Sequence, residues 1–256
     1  MAYRKRKSSI QLSEYKLKSQ KIPKSYNGFT IIHISDLHDE VFGFNQQLLA
    51  EVIIEQSPDI IVITGDLIDR RRIDFDKSMD FIKHAVRIAP VYYVTGNHEI
   101  KIKDYDRLMK LLYNDGVINI SNKNIEIINK KGDIINLVGL DDRSLCDDTL
   151  SEIAGRINSD YYTILLAHQP EYIDRYSKFD IDAVFCGHAH GGQVRLPLIG
   201  GLYAPNQGIF PKYTCGVYHV NNTSLIVSRG LGNSLFPIRI FNKPNVVKVV
   251  LKADTL

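Results

Sequence analysis

The sequence is poor in cysteine and lacks both a long apolar run and a strong excess of one charge. Its three cysteines, Cys146, Cys186 and Cys215, are odd in number and widely spaced. This spacing argues against a disulfide framework or a CxxC metal site and favours a reducing compartment. The longest apolar runs have strand length, about six to eight residues, whereas roughly 20 are needed to span a bilayer.

The charge is nearly balanced overall but uneven along the chain. A formal net charge of +3 does not indicate a nucleic-acid-binding protein, and we expect no specific nucleic-acid partner. Residues 1–24, however, hold eight Lys or Arg and one acid, Glu14. We therefore expect a basic N-terminal arm over residues 1–27, followed by a single domain over residues 28–256.

The same features predict where the protein works. No apolar signal-peptide segment follows the basic start, and no run is long enough for a transmembrane helix, so the sequence as it stands predicts a cytoplasmic protein. The basic residues of segment 1–24 predict peripheral contact with an anionic membrane. The sequence indicates no oligomeric state.

Short apolar runs rich in β-branched residues alternate with helical patterns, which predicts βαβ units with buried strands in an α/β fold. The predicted strands cover residues 29–35, 58–65, 89–96, 134–140, 161–167 and 182–187. The predicted helices cover residues 45–56, 76–88 and 105–116. Three further runs, at 216–220, 223–230 and 244–252, follow without helices between them. These predict antiparallel additions to a second sheet.

Side chains of the metal-ligand type follow five of the predicted strands. In open α/β sheets, loops converge at the carboxyl ends of strands and form binding crevices there. A lone histidine after a strand is commonly a structural residue, but five of the eight histidines lie at these strand ends. The predicted ligands are Asp36, His38, Asp66, Asn97, His168, His188 and His190.

This ligand set predicts two metal ions. Four imidazoles, two carboxylates and one amide oxygen are too many for one tetrahedral zinc. They suit two neighbouring ions, with one carboxylate bridging them. Mixed nitrogen and oxygen ligands favour divalent Mn, Fe, Co, Ni or Zn over Ca or Mg. The glycines around His188 and His190 are expected to keep Cβ atoms away from metals and substrate.

Five segments resemble the motif blocks of the calcineurin-like metallophosphoesterase superfamily. They are DLH (36–38), GDLID (65–69), GNHE (96–99), His168 and GHAHGGQ (187–193). Segments 191–201 and 227–234 are also similar to the branch that contains the bacterial YkuE and YaeI phosphodiesterases. The resemblance implies a four-layer α/β/β/α sandwich with two central mixed β-sheets.

The resemblance also implies roles for the site residues. It implies Asp36, His38 and His190 at a first metal, Asn97, His168 and His188 at a second, and Asp66 bridging both as a catalytic residue. It places His98 at the leaving group, as general acid or charge stabiliser. Glu99 would keep an orienting role.

The implied reaction is phosphoester hydrolysis by a metal-bound hydroxide, on a diester, a monoester or a pyrophosphate. Arg195 and Arg229 are candidate contacts for phosphate oxygens, the alternative being solvated side chains. The segment 195–215 is a candidate wall of the substrate pocket. Alternative functions are a nuclease, a cyclic-nucleotide phosphodiesterase or a lipid-linked pyrophosphatase. A non-catalytic metal-binding scaffold is disfavoured because every motif block is intact.

Overall fold

The structure, a computed structural model, describes residues 10–144, 147–233 and 238–254, and within them the chain forms sixteen β-strands and five α-helices. The strands are β1 (Gln11–Ser19), β2 (Thr30–Ile34), β3 (Ile60–Thr64), β4 (Val91–Val94), β5 (Ile118–Asn119), β6 (Lys123–Ile128), β7 (Ile134–Gly139), β8 (Tyr162–Leu166), β9 (Ala183–Cys186), β10 (Arg195–Leu196), β11 (Gly200–Gly201), β12 (Tyr203–Ala204), β13 (Gly208–Ile209), β14 (Gly216–Val220), β15 (Thr223–Val227) and β16 (Asn245–Ala253). The helices are α1 (Gln47–Ile54), α2 (Phe75–Ile88), α3 (Tyr105–Asn114), α4 (Asp147–Ala154) and α5 (Ile173–Tyr176).

Two mixed six-stranded sheets form the centre of the protein. The first has the order β1-β16-β2-β3-β4-β5, in which β2 to β5 are parallel and β16 is antiparallel to β2. The second has the order β14-β15-β9-β8-β7-β6, in which the four inner strands are parallel and the two edge strands are antiparallel to their neighbours. Four short strands, β10 to β13, pair separately in two small hairpins.

Three apolar cores separate four layers. In β2, Ile32 and Ile34 pack in the core that contains α1 to α3, whereas Ile31 packs between the two sheets. The outer face of the second sheet forms a third core with α4 and α5. Since both faces of the inner strands are covered, these strands consist of continuous apolar runs. The predicted α/β/β/α sandwich with two mixed sheets is confirmed.

The predicted boundary after residue 27 is wrong, because residues 11–27 are part of the domain. Strand β1 pairs with β16 over nine residues in parallel register. Leu17, Ile22 and Tyr26 are buried in the core between the sheets. The basic residues of this strand alternate with residues that pack inward, as expected when one face of a strand is covered. Residues 1–9 lie outside the described part, and the membrane contact of segment 1–24 stays a prediction.

The C-terminal strands also differ from the prediction. Strands β14 and β15 join the second sheet, but β15 runs parallel to β9. Strand β16 lies in the first sheet instead, between β1 and β2, with most of its residues buried. It is apolar on both faces because it packs between α-helices on one side and the second sheet on the other.

No helix in the described ranges has the length and apolar character that crossing a bilayer requires.

The role of β1 in the fold can be tested at two adjacent positions. Leu17→Ala removes a side chain that is 4% exposed and should lower the free energy of unfolding by about 2–5 kcal/mol. Lys18→Ala, at an exposed position of the same strand, should change it by less than about 0.5 kcal/mol. Urea denaturation measures both variants. Equal stability of the two variants would mean that this segment lies outside the cooperative fold.

Candidate metal centre

The carboxyl ends of parallel strands from both sheets meet at one edge of the sandwich. All seven predicted ligands lie in the loops that leave β2, β3, β4, β8 and β9 there. Hydrogen bonds join the sheets there; for example, His168 Nδ1–H donates to the Thr64 carbonyl over 2.7 Å, and the His188 backbone N–H donates to the Asp36 carboxylate over 3.0 Å. The structure therefore brings together residues that the sequence places on separate strands.

The first group of possible metal ligands contains Asp36, His38 and His190. His38 Nε2 lies 3.3 Å from His190 Nε2, and His190 Nε2 lies 3.4 Å from Asp36 Oδ1. All three side chains are buried. One nitrogen or oxygen from each residue thus points into a common small volume.

The second group contains Asp66, His168 and His188. His168 Nε2 lies 3.1 Å from His188 Nδ1 and 3.3 Å from Asp66 Oδ2. The Asn97 Oδ1 lies 3.0 Å from the same His168 nitrogen. The amide oxygen that was predicted as a ligand is therefore in position to complete this group.

Asp66 lies between the two groups. Its Oδ2 is 3.7 Å from His38 Nε2 in one group and 3.3 Å from His168 Nε2 in the other. Its Oδ1 accepts a hydrogen bond of 2.8 Å from the His98 backbone N–H, which fixes the carboxylate. One oxygen directed at both groups is the arrangement that a bridging carboxylate requires.

The protonation of these groups suits divalent cations. Burial lowers the pKa of His38 and of His188 to about 3, so both imidazoles are neutral and keep a lone pair. Burial alone would raise the pKa of Asp66, but the adjacent His168 holds it well below its usual range. Because His168 donates from Nδ1 to the Thr64 carbonyl, its Nε2 is the nitrogen available to a metal. Burial alone would lower the pKa of His168, but the Asp66 carboxylate raises it well above its usual range, so this ring gives up a proton when a cation binds. Neutral imidazoles and carboxylates that face each other are then a donor set for first-row divalent ions.

Five ligand residues have a left-handed backbone. Their φ angles lie between 46° and 65°, a region that residues other than glycine rarely adopt. Such conformations cost on the order of 1–3 kcal/mol each and concentrate at functional sites. The residues are Asp36, His38, Asp66, His188 and His190.

The glycines of the GHAHGGQ loop lie against other protein groups, and their predicted role toward metals and substrate stays a prediction. A Cβ at Gly187 would collide with Ser35 Oγ and with the Asp36 carboxylate. A Cβ at Gly191 would collide with the side chains of Asn242 and Arg229. These glycines therefore make room for neighbouring protein groups, so that the loops of the two sheets can approach closely.

Glu99 connects the loops after β3 and β4. Its buried carboxylate accepts hydrogen bonds from the backbone N–H groups of Asp66, Leu67 and Gly96 at 2.6–2.9 Å. Burial, together with the charge of Asp66, raises the pKa of Glu99 to about 7. Its contacts are those expected of the orienting residue that the sequence predicts.

His98 is the most exposed of the clustered histidines, with 13% of its side chain accessible. Its Nδ1 accepts a hydrogen bond of 3.2 Å from the Arg70 backbone N–H and lies 3.5 Å from Asp69 Oδ1. Its Nε2 lies 3.9 Å from Asp66 Oδ2. Burial lowers the pKa of His98. The contact with Asp69 was not predicted, although Asp69 is the last residue of the GDLID motif.

The two predicted substrate arginines lie beside Gly191 of the GHAHGGQ loop. Arg195 Nη1 donates to the Gly191 carbonyl and to Thr214 Oγ1, at 2.8 and 3.1 Å. Arg229 is buried, and its Nη2 has no hydrogen-bond partner within the described ranges. Their contact with substrate stays a prediction.

Two polar residues near the centre were not predicted. Arg239 donates to the carbonyls of Arg229 and Gly232, and its positive charge interacts with Asp36. The Asn206 Nδ2, from segment 195–215, lies 3.3 Å from His188 Nε2 and donates to Glu171 over 2.9 Å. Neither residue follows a predicted strand, so the pattern that located the ligands could not find them.

Comparison with known proteins places this geometry in a family. Residues 29–192 match the calcineurin-like phosphoesterase family. The chain is 29% identical to the metallophosphoesterase YkuE of Bacillus subtilis, over 95% of this chain and 86% of that protein. It is 26% identical to the phosphodiesterase YaeI of Escherichia coli, over 87% and 82% of the two chains. The crystal structure of TT1561 of Thermus thermophilus has a similar fold, with a TM-score of 0.51 and 12% identity over 79% of this chain and 90% of that chain. The chain belongs to the calcineurin-like phosphoesterase family and is a metal-dependent phosphoester hydrolase.

Proposed function

We propose that this protein hydrolyses phosphodiesters at a centre that holds two divalent first-row metal ions. One ion would bind to Asp36, His38 and His190, and the other to Asn97, His168 and His188. The main support is the position of Asp66 Oδ2, which faces a histidine nitrogen of each group at 3.7 and 3.3 Å. The preference for a diester is supported by the name of the relative YaeI, a phosphodiesterase.

When bound, such ions lower the pKa of water to about 7 and polarise phosphoryl oxygens. The carboxylates of Asp36 and Asp66 offset part of the added charge, so a net positive site remains for an anionic ester. Glu99 holds the backbone on either side of Asp66 and so fixes the bridging carboxylate. The chain thereby orders the ligands before substrate arrives.

His98 is the residue that we propose for proton transfer to the leaving group. In the neutral ring, Nδ1 accepts from the Arg70 N–H, so the proton resides on Nε2. In the charged ring, Nδ1–H would face Asp69 Oδ1, which lies 3.5 Å away and stabilises the imidazolium. Nε2 is then the nitrogen that gives its proton to the departing oxygen.

The shared position of Asp66 can be tested by metal content. The wild-type protein, loaded with manganese, should bind two ions per chain and hydrolyse bis-p-nitrophenyl phosphate. Asp36→Asn should lose about one ion, because Asp36 belongs to one group. Asp66→Asn should weaken both sites, because its carboxylate faces both groups. Elemental analysis and turnover after gel filtration measure the two effects.

Asp160→Asn, at an exposed position, is the matched control and should retain both ions. A single ion in the wild-type protein, or full turnover after chelation, would contradict the dinuclear centre. p-Nitrophenyl phosphate and a pyrophosphate ester, assayed in parallel, test the preference for a diester. Faster hydrolysis of either one would show a different bond preference at the same centre.

Metal content and turnover together distinguish a proton-transfer role of His98 from a role as a metal ligand. His98→Gln should keep both metal ions while turnover falls by about 10²–10⁴, the usual contribution of a general acid. The loss should be larger for an alkyl phosphodiester than for a p-nitrophenyl diester, because an alkoxide needs protonation more. Metal content and kcat on both substrates are the measurements.

His219→Gln, at an exposed position on β14, is the matched control and should behave as wild type. Loss of an ion from His98→Gln would show that His98 is a ligand, since His98 also lies within reach of His38 and Asp66. An equal loss on both substrates with metals retained would remove the acid role.

A further inference from the structure

The last part of the chain contains no acidic residue over a long stretch. From Ala183 to Ala253, 71 residues include no Asp or Glu, and all 29 acidic residues of the protein lie outside this stretch. The same stretch contains seven Lys or Arg. A surface built from it carries no carboxylate side chain that would repel an anionic partner.

This stretch also exposes large apolar side chains. Five of them are each more than 60% exposed, and Leu198 is fully exposed at 109%. Among the other large apolar side chains of the described residues, only those of Phe44 and Tyr113 are more than 60% exposed. Large exposed apolar side chains grouped on a protein surface are typical of an interaction site. The five residues are Leu198, Ile199, Ile209, Phe210 and Phe241.

Backbone hydrogen bonds join the segments that carry these side chains. The Arg195 N–H donates to the Ile240 carbonyl over 3.0 Å, next to a β-bridge between Val194 and Ile240. The Leu202 N–H donates to the Val194 carbonyl, and the Phe210 N–H donates to the Leu202 carbonyl. The two hairpins β10–β11 and β12–β13 and the segment 238–241 thus form one unit, which we call the apolar face.

The apolar face is attached to the loop that holds two metal ligands. The Asn242 side chain, next to Phe241, donates to the carbonyls of His190 and Gln193 at 2.7 and 3.0 Å. Asn206, in the β12–β13 hairpin, lies 3.3 Å from His188. A partner bound to the apolar face would therefore lie next to the metal centre.

Each of the two exposed phenylalanines has an exposed lysine two residues further along the chain. Lys212 follows Phe210, and Lys243 follows Phe241. Glu171 and Asp174, from outside the stretch, lie close to this face: Glu171 accepts a hydrogen bond from Asn206, and Asp174 interacts with Lys212. The stretch itself adds lysines and no acid, and apolar side chains beside lysines are suited to the boundary between acyl chains and anionic headgroups. A purely apolar protein partner would not need the lysines or the absence of acids.

We propose that the apolar face docks this protein on an anionic lipid bilayer. The leucine, isoleucine and phenylalanine side chains enter the boundary of the acyl chains, and Lys212 and Lys243 contact lipid phosphates. The docking requires no bound substrate and no turnover. It is distinct from the contact predicted for residues 1–24, because it uses a different part of the chain.

Co-sedimentation with vesicles tests the proposal. The wild-type protein should bind vesicles of equal parts phosphatidylcholine and phosphatidylglycerol more tightly than vesicles of phosphatidylcholine alone. The double variant Leu198→Asp with Ile199→Asp should bind the mixed vesicles about tenfold more weakly, or worse. Tyr113→Asp with Ile128→Asp introduces the same charge at exposed apolar positions elsewhere and should bind as wild type.

Circular dichroism and a cooperative urea transition close to that of wild type verify that both double variants are folded. The double variant Lys212→Glu with Lys243→Glu provides a second test. It should bind the vesicles that contain phosphatidylglycerol more weakly than wild type does, and it should bind vesicles of phosphatidylcholine as wild type does.

Absence of vesicle binding by the wild-type protein, or equal binding by all variants, would overturn the proposal. If analytical ultracentrifugation shows that the wild-type protein is a dimer and that the variant Leu198→Asp with Ile199→Asp is a monomer, the apolar face binds a second copy of the chain instead. Failure of the proposed phosphodiesterase activity would leave the vesicle result unaffected, so the two proposals are tested separately.

Discussion

The metal centre depends on the close contact between the loops of the two sheets. The buried Asp36 carboxylate, at the end of β2, accepts the backbone N–H of His188, which follows β9 in the other sheet. A buried carboxylate is costly unless it is hydrogen-bonded or paired with a cation, and this one is available both to a backbone N–H and to a metal. The contact is close because Gly187 has no Cβ, which would collide with Ser35 and Asp36. The ligand groups of both sheets meet at this contact.

A second buried carboxylate organises the loops within the first sheet. Glu99 follows β4 and accepts N–H groups from the loop after β3, so the position of Asp66 is coupled to that of Asn97 and His98. The backbone at Asp66 itself is left-handed, and the hydrogen bonds of Glu99 offset part of the cost of that conformation. A carboxylate that contacts no metal ligand side chain directly can therefore determine where the bridging ligand lies.

Much of the fold and site can be predicted from the sequence, because inner parallel strands are apolar on both faces and ligands follow their carboxyl ends. This pattern predicts β2, β3, β4, β8 and β9 together with all seven clustered residues. It fails for β1, whose lysines and half-buried residues alternate at a sheet edge. It also assigns β16 to the wrong sheet, because an apolar strand does not encode its pairing partner. Asn206 and Arg239 lie in irregular segments, where no periodic signal indicates their direction.

The position of β16 has a consequence for the chain as it is synthesised. Strand β2 borders β16 on one side, and β16 in turn borders β1, although Gln11 and Asn245 are separated by 234 positions. Until β16 leaves the ribosome, one edge of β2, a strand whose residues are all buried in the folded protein, presents unpaired backbone groups. Open edges of this kind are templates for pairing between chains. The growing polypeptide therefore exposes an aggregation-prone edge until β16 has been synthesised and covers it.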